Sequence, residues 1–126
     1  MRVLLDTHTL LWALTEKSRL SSRVRLLLPS AETWFSVAGV WEILIKVQVG
    51  KLKLPRPTGA FVMSKLSSNG VQVLTVAVDH VLRLEGLELH HRDPFDRILI
   101  AQSLEEKLPI VTSDPVFAQY PVDVIW

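Results

Sequence analysis

The chain has 126 residues, of which 48% are hydrophobic and 21% charged, and it contains no cysteine. This length and composition predict one ordered domain over residues 1–126 and exclude disulfides, thiolate zinc sites and cysteine nucleophiles. The formal net charge of +1 argues neither for nor against a nucleic-acid partner, because binding would need only a local basic patch.

No apolar run approaches the ~20 residues that a membrane-spanning helix needs. Asp6 interrupts the apolar N-terminal stretch, and no small-residue cleavage site follows it, so a signal peptide is not expected. The absence of cysteine suits a reducing compartment. We therefore expect a cytoplasmic protein with no membrane partner.

The hydrophobic pattern alternates between strand and helix periodicity along the chain. In chain order it predicts a strand at 2–5, helices at 7–16 and 21–28, a strand at 33–38, helices at 39–49 and 58–68, a strand at 71–76, helices at 79–86 and 93–107, a strand at 109–113, a helical turn at 114–119 and a strand at 122–126. Strands that alternate with helices indicate an α/β fold with a mostly parallel sheet of about five strands.

Two carboxylates directly follow predicted strands. Asp6 comes after the first strand and Asp114 after the fourth. Ligands of open α/β sheets bind outside the carboxyl ends of the strands, where the strand order reverses. If the first and fourth strands are neighbours, these two side chains converge.

Glu42 lies near the start of the helix predicted at 39–49. This helix is apolar around nearly its whole circumference, which is typical of a buried helix, and a buried carboxylate needs a partner. Lys46, four residues later, is such a partner. Taken alone, this salt bridge is favoured over a functional role for Glu42.

The segment "HHRDPFDRILIAQ" contains the start of the clearest helix. Asp93 suits the N-cap, Pro94 the first helical position and Asp96 the third, so that "DPFD" taken alone reads as a helix start. Asp96, one turn into the helix, would nevertheless face the same edge as Asp6 and Asp114.

Four carboxylates at one edge of the sheet are stronger evidence for a functional site than any one of them alone. Uncompensated carboxylates about 4 Å apart repel each other, so the group calls for a cation. Oxygen ligands without cysteine favour Mg²⁺ or Mn²⁺. A carboxylate-bound divalent ion suits hydrolysis of phosphodiester bonds.

The segments "VLLDTHTLLWAL", "SVAGVWEILIKVQVGKLKLP", "HRDPFDRILIAQSL" and "PIVTSDPVFAQY" resemble, in order and spacing, those of PIN-domain ribonucleases, and more narrowly VapC-type toxins of toxin–antitoxin pairs. The resemblance covers essentially the whole chain. It implies a three-layer α/β/α sandwich with sheet order 3-2-1-4-5. It also implies RNA cleavage with Mg²⁺ or Mn²⁺, a homodimer, and inhibition by a small antitoxin that binds operator DNA. The implied metal-binding and catalytic residues are Asp6, Glu42, Asp96 and Asp114.

Other polar residues receive secondary assignments. Thr112 and Ser113 match a Thr or Ser position of the family and, with Thr7, are expected to be auxiliary to the site. Lys51, Lys53 and Arg97 are candidate RNA contacts. Solvated loop charge is the favoured alternative for the two lysines, and balance of the acidic cluster or pairing with Asp93 is the alternative for Arg97.

Among the remaining residues, the histidines receive no role, apart from a weak candidate in His91, which is near the site in sequence. Asp79 is expected to cap a helix. The aromatic residues Trp12, Trp34, Trp41 and Phe35 follow core-like or interface-like patterns, so burial is favoured over base stacking.

Two other functions compete with the ribonuclease. A phosphatase of the haloacid-dehalogenase type also starts with an Asp after strand 1, but it needs a second Asp two residues later, where this chain has His8. A non-catalytic PIN-like or receiver-like module is the third possibility. A receiver needs a phosphoacceptor after strand 3, and a degenerate PIN scaffold would lack one of the four acids, whereas all four are present.

Overall fold

The computed structural model describes all of residues 1–126. The strands are β1 (Arg2–Leu5), β2 (Glu32–Ser36), β3 (Gln72–Leu74), β4 (Ile110–Val111) and β5 (Val124–Ile125). The helices are α1 (Thr7–Thr15), α2 (Ser22–Leu27), α3 (Val37–Gln48), α4 (Thr58–Ser68), α5 (Val78–Arg83) and α6 (Pro94–Glu106). Short 3₁₀ helices lie at Lys17–Arg19, Leu28–Ser30, Leu84–Gly86 and Pro115–Gln119.

The five strands form one sheet in the order β3-β2-β1-β4-β5, and every pair is parallel. The predicted α/β class and strand order are therefore confirmed. In the central strand, Leu4 pairs with Trp34 of β2 on one side and with Ile110 of β4 on the other. Because all strands run the same way, the residues that follow β1, β2 and β4 emerge at one edge of the sheet.

Alternating residues of β1 feed two separate apolar cores. Val3 and Leu5 belong to a core with side chains of α1 to α4, whereas Leu4 belongs to a core with Leu99 and Ile100 of α6. Successive side chains of a strand point to opposite faces, so a strand buried on both faces has no polar side. The apolar run "RVLL" and the three-layer arrangement follow from this double burial.

Short polar side chains determine where several helices begin. Ser21 accepts a hydrogen bond from the Val24 N–H and starts α2, and Ser36 accepts one from the Ala38 N–H and starts α3. The second of these caps ends β2 earlier than the sequence pattern predicts, so that residues 37 and 38 are helical. Gly50, with φ +79°, follows the end of α3 as predicted.

The predicted cap of α5 is wrong. The helix begins at Val78 with Ala77 as its N-cap, and Asp79 lies exposed within the first turn. The cap hydrogen bond comes instead from buried His80, whose Nδ1 accepts from the Ala77 N–H at 2.9 Å. Because the His80 ring is buried beside α6, its Nδ1 lies within reach of the Ala77 N–H. The Asp79 side chain remains in solvent.

The expected burial of the aromatic residues holds for Phe35 and in part for Trp12 and Trp34, but not for Trp41. The Trp41 side chain is 61% exposed, so the prediction that α3 is buried all round is wrong on this side. Val37, on the same helix, is also exposed. The apolar surface of α3 is wider than the area that the sheet and α6 cover. None of the helices combines the length and the apolar character needed to cross a membrane.

We predict that Gly39→Ala destabilises the protein. A Cβ at this position of α3 would lie 2.4 Å from Cζ of Phe35, so the buried ring would have to shift. We expect a loss of about 1 to 3 kcal/mol in the free energy of unfolding, measured by urea denaturation. Gly59→Ala in α4, which meets no atom within 4 Å, is the matched control and should be neutral or stabilising by up to about 1 kcal/mol. Equal stability of the two variants would contradict the packing described here.

Candidate active site

A cavity of about 130 Å³ opens at the carboxyl edge of the sheet. Its walls come from the ends of β1 and β2 and from the first turns of α1, α3 and α6. All four carboxylates that the sequence predicts for the site line it, together with other polar side chains. The four are Asp6, Glu42, Asp96 and Asp114, and the others include Thr7, His8, Ser36, Lys46 and Asp93.

Asp6 is buried and held from two sides. Its Oδ1 accepts a hydrogen bond from the Thr9 N–H at 2.8 Å, as an N-cap of α1 should. Its Oδ2 accepts from the Thr112 hydroxyl at 2.6 Å, across the β1–β4 junction. One donor lies in the segment that follows β1 and the other in the segment that follows β4, and together they fix the carboxylate.

Glu42 is held by a neutral donor and by a cation. Its Oε1 accepts a hydrogen bond from the Thr7 hydroxyl at 2.6 Å, and its Oε2 lies 3.2 Å from Nζ of Lys46. The salt bridge that the sequence offered as a structural alternative therefore exists. Lys46 lines the same cavity, so the ion pair lies within the site and is no argument against it.

Asp96 lies in the first turn of α6. Asp93 caps that helix as predicted, because its Oδ1 accepts from the N–H groups of Phe95 and Asp96 at 2.9 and 3.0 Å. The Asp96 Oδ2 atom lies 3.1 Å from Nε2 of His91. Burial raises the pKa of the Asp96 carboxyl from 3.8 to about 6, with further upward contributions from the charges of Asp93 and Glu42, while His91 opposes the rise.

Asp114 lies at the exposed rim of the cavity. Its Oδ1 accepts from the Val116 N–H at 3.0 Å and caps the 3₁₀ helix that follows β4. Its own N–H donates to the Thr112 hydroxyl oxygen at 3.1 Å. Thr112 therefore connects Asp6 with Asp114, whereas exposed Ser113 does not line the cavity.

The three basic residues proposed from the sequence as RNA contacts do not line the cavity. Lys51 and Lys53 are exposed in the loop after α3. The Arg97 guanidinium donates to the carbonyl oxygens of Glu88 and Leu87 and to the Tyr120 hydroxyl. Arg97 therefore forms no ion pair with Asp93 and does not line the cavity.

Sequence reasoning placed Lys46 beside Glu42 and named His91 only as a weak candidate, and it assigned no role to His8, which lines the cavity. His91 is the most informative, because its imidazole contacts Asp96 directly. It lies in the loop before α6, where no periodicity predicts the direction of a side chain. Its only signal in the sequence is its position five residues before Asp96.

The carboxylates share one cavity but do not converge on a single point. No group of three or more acidic, histidine or cysteine side chains is close enough to hold one ion together. The donors still fit a hard divalent cation in kind, because all are carboxylate oxygens with free lone pairs. An ion would therefore have to draw the side chains inward.

The raised pKa of Asp96 predicts a pH dependence of stability. Between about pH 4 and pH 6 the folded state keeps the proton that the unfolded state has lost, so the free energy of unfolding falls as the pH rises through this window. We expect Asp96 to lower the free energy of unfolding by about 1 to 3 kcal/mol across this window. Denaturant unfolding of the wild type and of Asp96→Asn at several pH values measures this contribution of Asp96. Parallel pH profiles of the two proteins would contradict the assignment.

Comparison with known proteins identifies the family. The PIN-domain family model matches residues 3–123. A comparison with proteins of curated function finds no significant match.

Several solved structures share the fold. The chain is similar to VapBC2 from Rickettsia felis bound to a promoter DNA fragment, with a TM-score of 0.73 and 15% identity over 99% of this chain and 98% of that one. It is similar to VapBC-1 from nontypeable Haemophilus influenzae, with a TM-score of 0.70 and 18% identity over 99% and 97%. It is also similar to DNA-bound VapBC from Salmonella typhimurium, with a TM-score of 0.69 and 16% identity over 99% and 97%. These likenesses show the fold, and the family model spans nearly the whole chain, so this protein belongs to the PIN-domain family.

Proposed function

We propose that the protein is a metal-dependent endoribonuclease and the toxin of a toxin–antitoxin pair. The observation that carries the proposal is the lining of one cavity, in a PIN-domain chain, by Asp6, Glu42, Asp96 and Asp114. These carboxylates come from four separate places in the sequence, and the parallel sheet assembles them at the edge where such folds bind ligands.

In this proposal the four carboxylates hold Mg²⁺ or Mn²⁺. A bound ion of this kind activates water and stabilises the charge of the reacting phosphodiester. The protein's own contribution is orientation, since Thr112 holds Asp6 and Thr7 holds Glu42 through short hydrogen bonds. Ser113 is the remaining auxiliary candidate, although its exposed position outside the cavity lining gives it no contact with the acids.

Positive charge beside the cavity supports a polyanionic substrate. Lys46 is within the cavity, and exposed Lys51 and Lys53 follow on the loop after the same helix. We propose that Lys51 and Lys53 contact RNA phosphates, whereas Lys46 is paired with Glu42. Arg97 would contact RNA only after giving up its carbonyl partners, so its role in the proposal is secondary.

The activity test compares acids inside and outside the cavity. We expect Asp6→Ala and Asp96→Asn to lower Mn²⁺-dependent cleavage of a total RNA preparation at least about 100-fold, because loss of a ligand exceeds the cost of losing an outer hydrogen bond. Asp79→Asn is the matched control, since Asp79 also follows a strand but lies exposed on α5. It should cleave like the wild type.

Circular dichroism establishes that each variant is folded before its activity is compared. Folded Asp6→Ala and Asp96→Asn proteins with wild-type, metal-dependent activity would contradict the proposed site. A wild type that cleaves RNA equally well with excess chelator would contradict the metal dependence.

We further propose a cognate antitoxin that binds operator DNA. Three of the solved structures of similar fold are VapBC complexes, and those from Rickettsia felis and Salmonella typhimurium contain DNA. A short reading frame beside the gene, whose product abolishes cleavage when co-purified, is the expected finding. Growth arrest on expression that persists with that product present would contradict the pairing.

We also propose that the protein forms a homodimer through an apolar surface next to the cavity. This surface, called here the Trp41 surface, consists of apolar side chains and surrounds a shallow groove. Its members are Val37, Ala38, Trp41, Val76, Val81, Pro94, Phe95 and Ile98. Contiguous exposed apolar area of this kind marks interfaces, and a two-fold dimer pairs one patch with its own copy. Ala38 and Phe95 also line the cavity, so that pairing would bring the two sites near each other.

We predict that Trp41→Glu converts the dimer to a monomer, because a charge would be buried without a partner in the interface. Sedimentation velocity measures the change. Leu26→Glu, on α2 and 81% exposed, is the matched control and should remain dimeric. A monomeric wild type, or a Trp41→Glu protein that is still dimeric, would contradict the assignment.

A further inference from the structure

A chain of four side chains connects Arg97, in the first turn of α6, with the acidic cavity. The Arg97 Nη1 atom donates to the Tyr120 hydroxyl at 3.0 Å. The same hydroxyl lies 2.7 Å from Nδ1 of His91, and His91 Nε2 lies 3.1 Å from Oδ2 of Asp96. The chain thus begins on a permanent cation and ends on a carboxylate of the proposed metal site.

The hydrogen-bond capacity of the Tyr120 hydroxyl fixes the direction of this chain. A phenolic hydroxyl has one hydrogen to donate and two lone pairs that accept. It accepts from Arg97 Nη1 and from the His91 backbone N–H, neither of which can accept in return. Its hydrogen is therefore donated to Nδ1 of His91, so a neutral imidazole carries its proton on Nε2. That proton points to Asp96.

The anchor at Tyr120 is rigid. Its side chain is only 4% exposed and packs in the core under α6. The Arg97 guanidinium is itself held by the Glu88 and Leu87 carbonyl oxygens at 2.8 and 3.1 Å. Both the Tyr120 ring and its donor Arg97 are thus fixed by the fold, and so is the position of the hydroxyl that contacts His91.

We propose that His91 is a positioning residue that holds the Asp96 carboxylate, with its tautomer selected by Tyr120 and Arg97. The proposal rests on the proposed function insofar as Asp96 is a metal ligand. His91 restrains Oδ2, whereas no hydrogen bond from the protein occupies Oδ1, which is left for a cation in the cavity. Partners of this kind orient ligating carboxylates and commonly change metal affinity 10- to 100-fold, as an order of magnitude, when they are removed.

The first test observes the tautomer directly. Two-bond ¹⁵N–¹H correlation spectra of the metal-free protein in mildly alkaline buffer, where a free imidazole is neutral, distinguish a protonated Nε2 from a protonated Nδ1. We expect His91 to be protonated on Nε2. Tyr120→Phe keeps the buried ring but removes the hydroxyl, and should yield a mixture of tautomers. A proton on Nδ1 in the wild type, or an unchanged His91 spectrum in Tyr120→Phe, would overturn the proposal.

The second test measures Mn²⁺ affinity by isothermal titration calorimetry. We expect His91→Ala to weaken binding by roughly 10- to 100-fold. His91→Gln, whose amide nitrogen can replace Nε2 as a donor, should recover part of the loss. His90→Ala is the matched control, because His90 contacts the Tyr120 ring but has no hydrogen bond to Asp96. It should bind Mn²⁺ like the wild type.

Wild-type affinity in folded His91→Ala would overturn the positioning role, as would equal losses in His91→Ala and His90→Ala. A wild type that binds no Mn²⁺ would contradict the proposed function. The imidazole spectra would still decide the direction of the hydrogen-bond chain in that case, so the two failures are distinguishable.

Discussion

The site depends on the parallel pairing of β1 with β4. Leu5 is paired with Val111, so the residues just beyond each strand are neighbours although they are 106 positions apart in sequence. The Thr112 hydroxyl can therefore donate to Asp6, and Thr9 can reach the Val111 carbonyl from the first turn of α1. A shift of register would separate these pairs, because it would move every side chain of the strand to the opposite face.

The carboxylates tolerate one another because each has its own donor. Threonine hydroxyls serve Asp6 and Glu42, and the His91 imidazole serves Asp96. The threonine hydroxyls hold Asp6 and Glu42 in place without neutralising their charge. Lys46 pairs only with Glu42. Burial raises the pKa of Asp96, and the charges of Asp93 and Glu42 add to the rise while His91 opposes it.

Most of the fold was predictable because local signals and tertiary packing agree. The helix over 58–68 and the N-cap at Asp93 appear as the sequence predicts, and Asp93 starts its helix by local chemistry alone. The errors fall where a distant group intervenes. His80 displaces Asp79 as the capping group because packing on α6 brings its ring to the Ala77 N–H.

The carboxylates of the candidate site were predictable, as was Lys46 beside Glu42, but the side chains that hold Asp96 were not. Acids that follow strands can be located from strand ends and topology, which are legible in the sequence. The chain from Arg97 through Tyr120 and His91 joins two loops, and no spacing rule relates them. Exposure of Trp41 was missed for a related reason, since apolar periodicity does not distinguish a side chain buried in its own fold from one that another chain could cover.

The central claim is that the cavity acids are ligands of a divalent ion. The most direct measurement is a crystal structure of the protein soaked in Mn²⁺, with the ion located by its anomalous scattering. We expect one peak or two close peaks in the cavity, with oxygens of Asp6 and Asp96 roughly 2.0 to 2.3 Å away and Glu42 or Asp114 completing the set. An ion bound elsewhere, with the four carboxylates keeping the separate partners described above, would contradict the account.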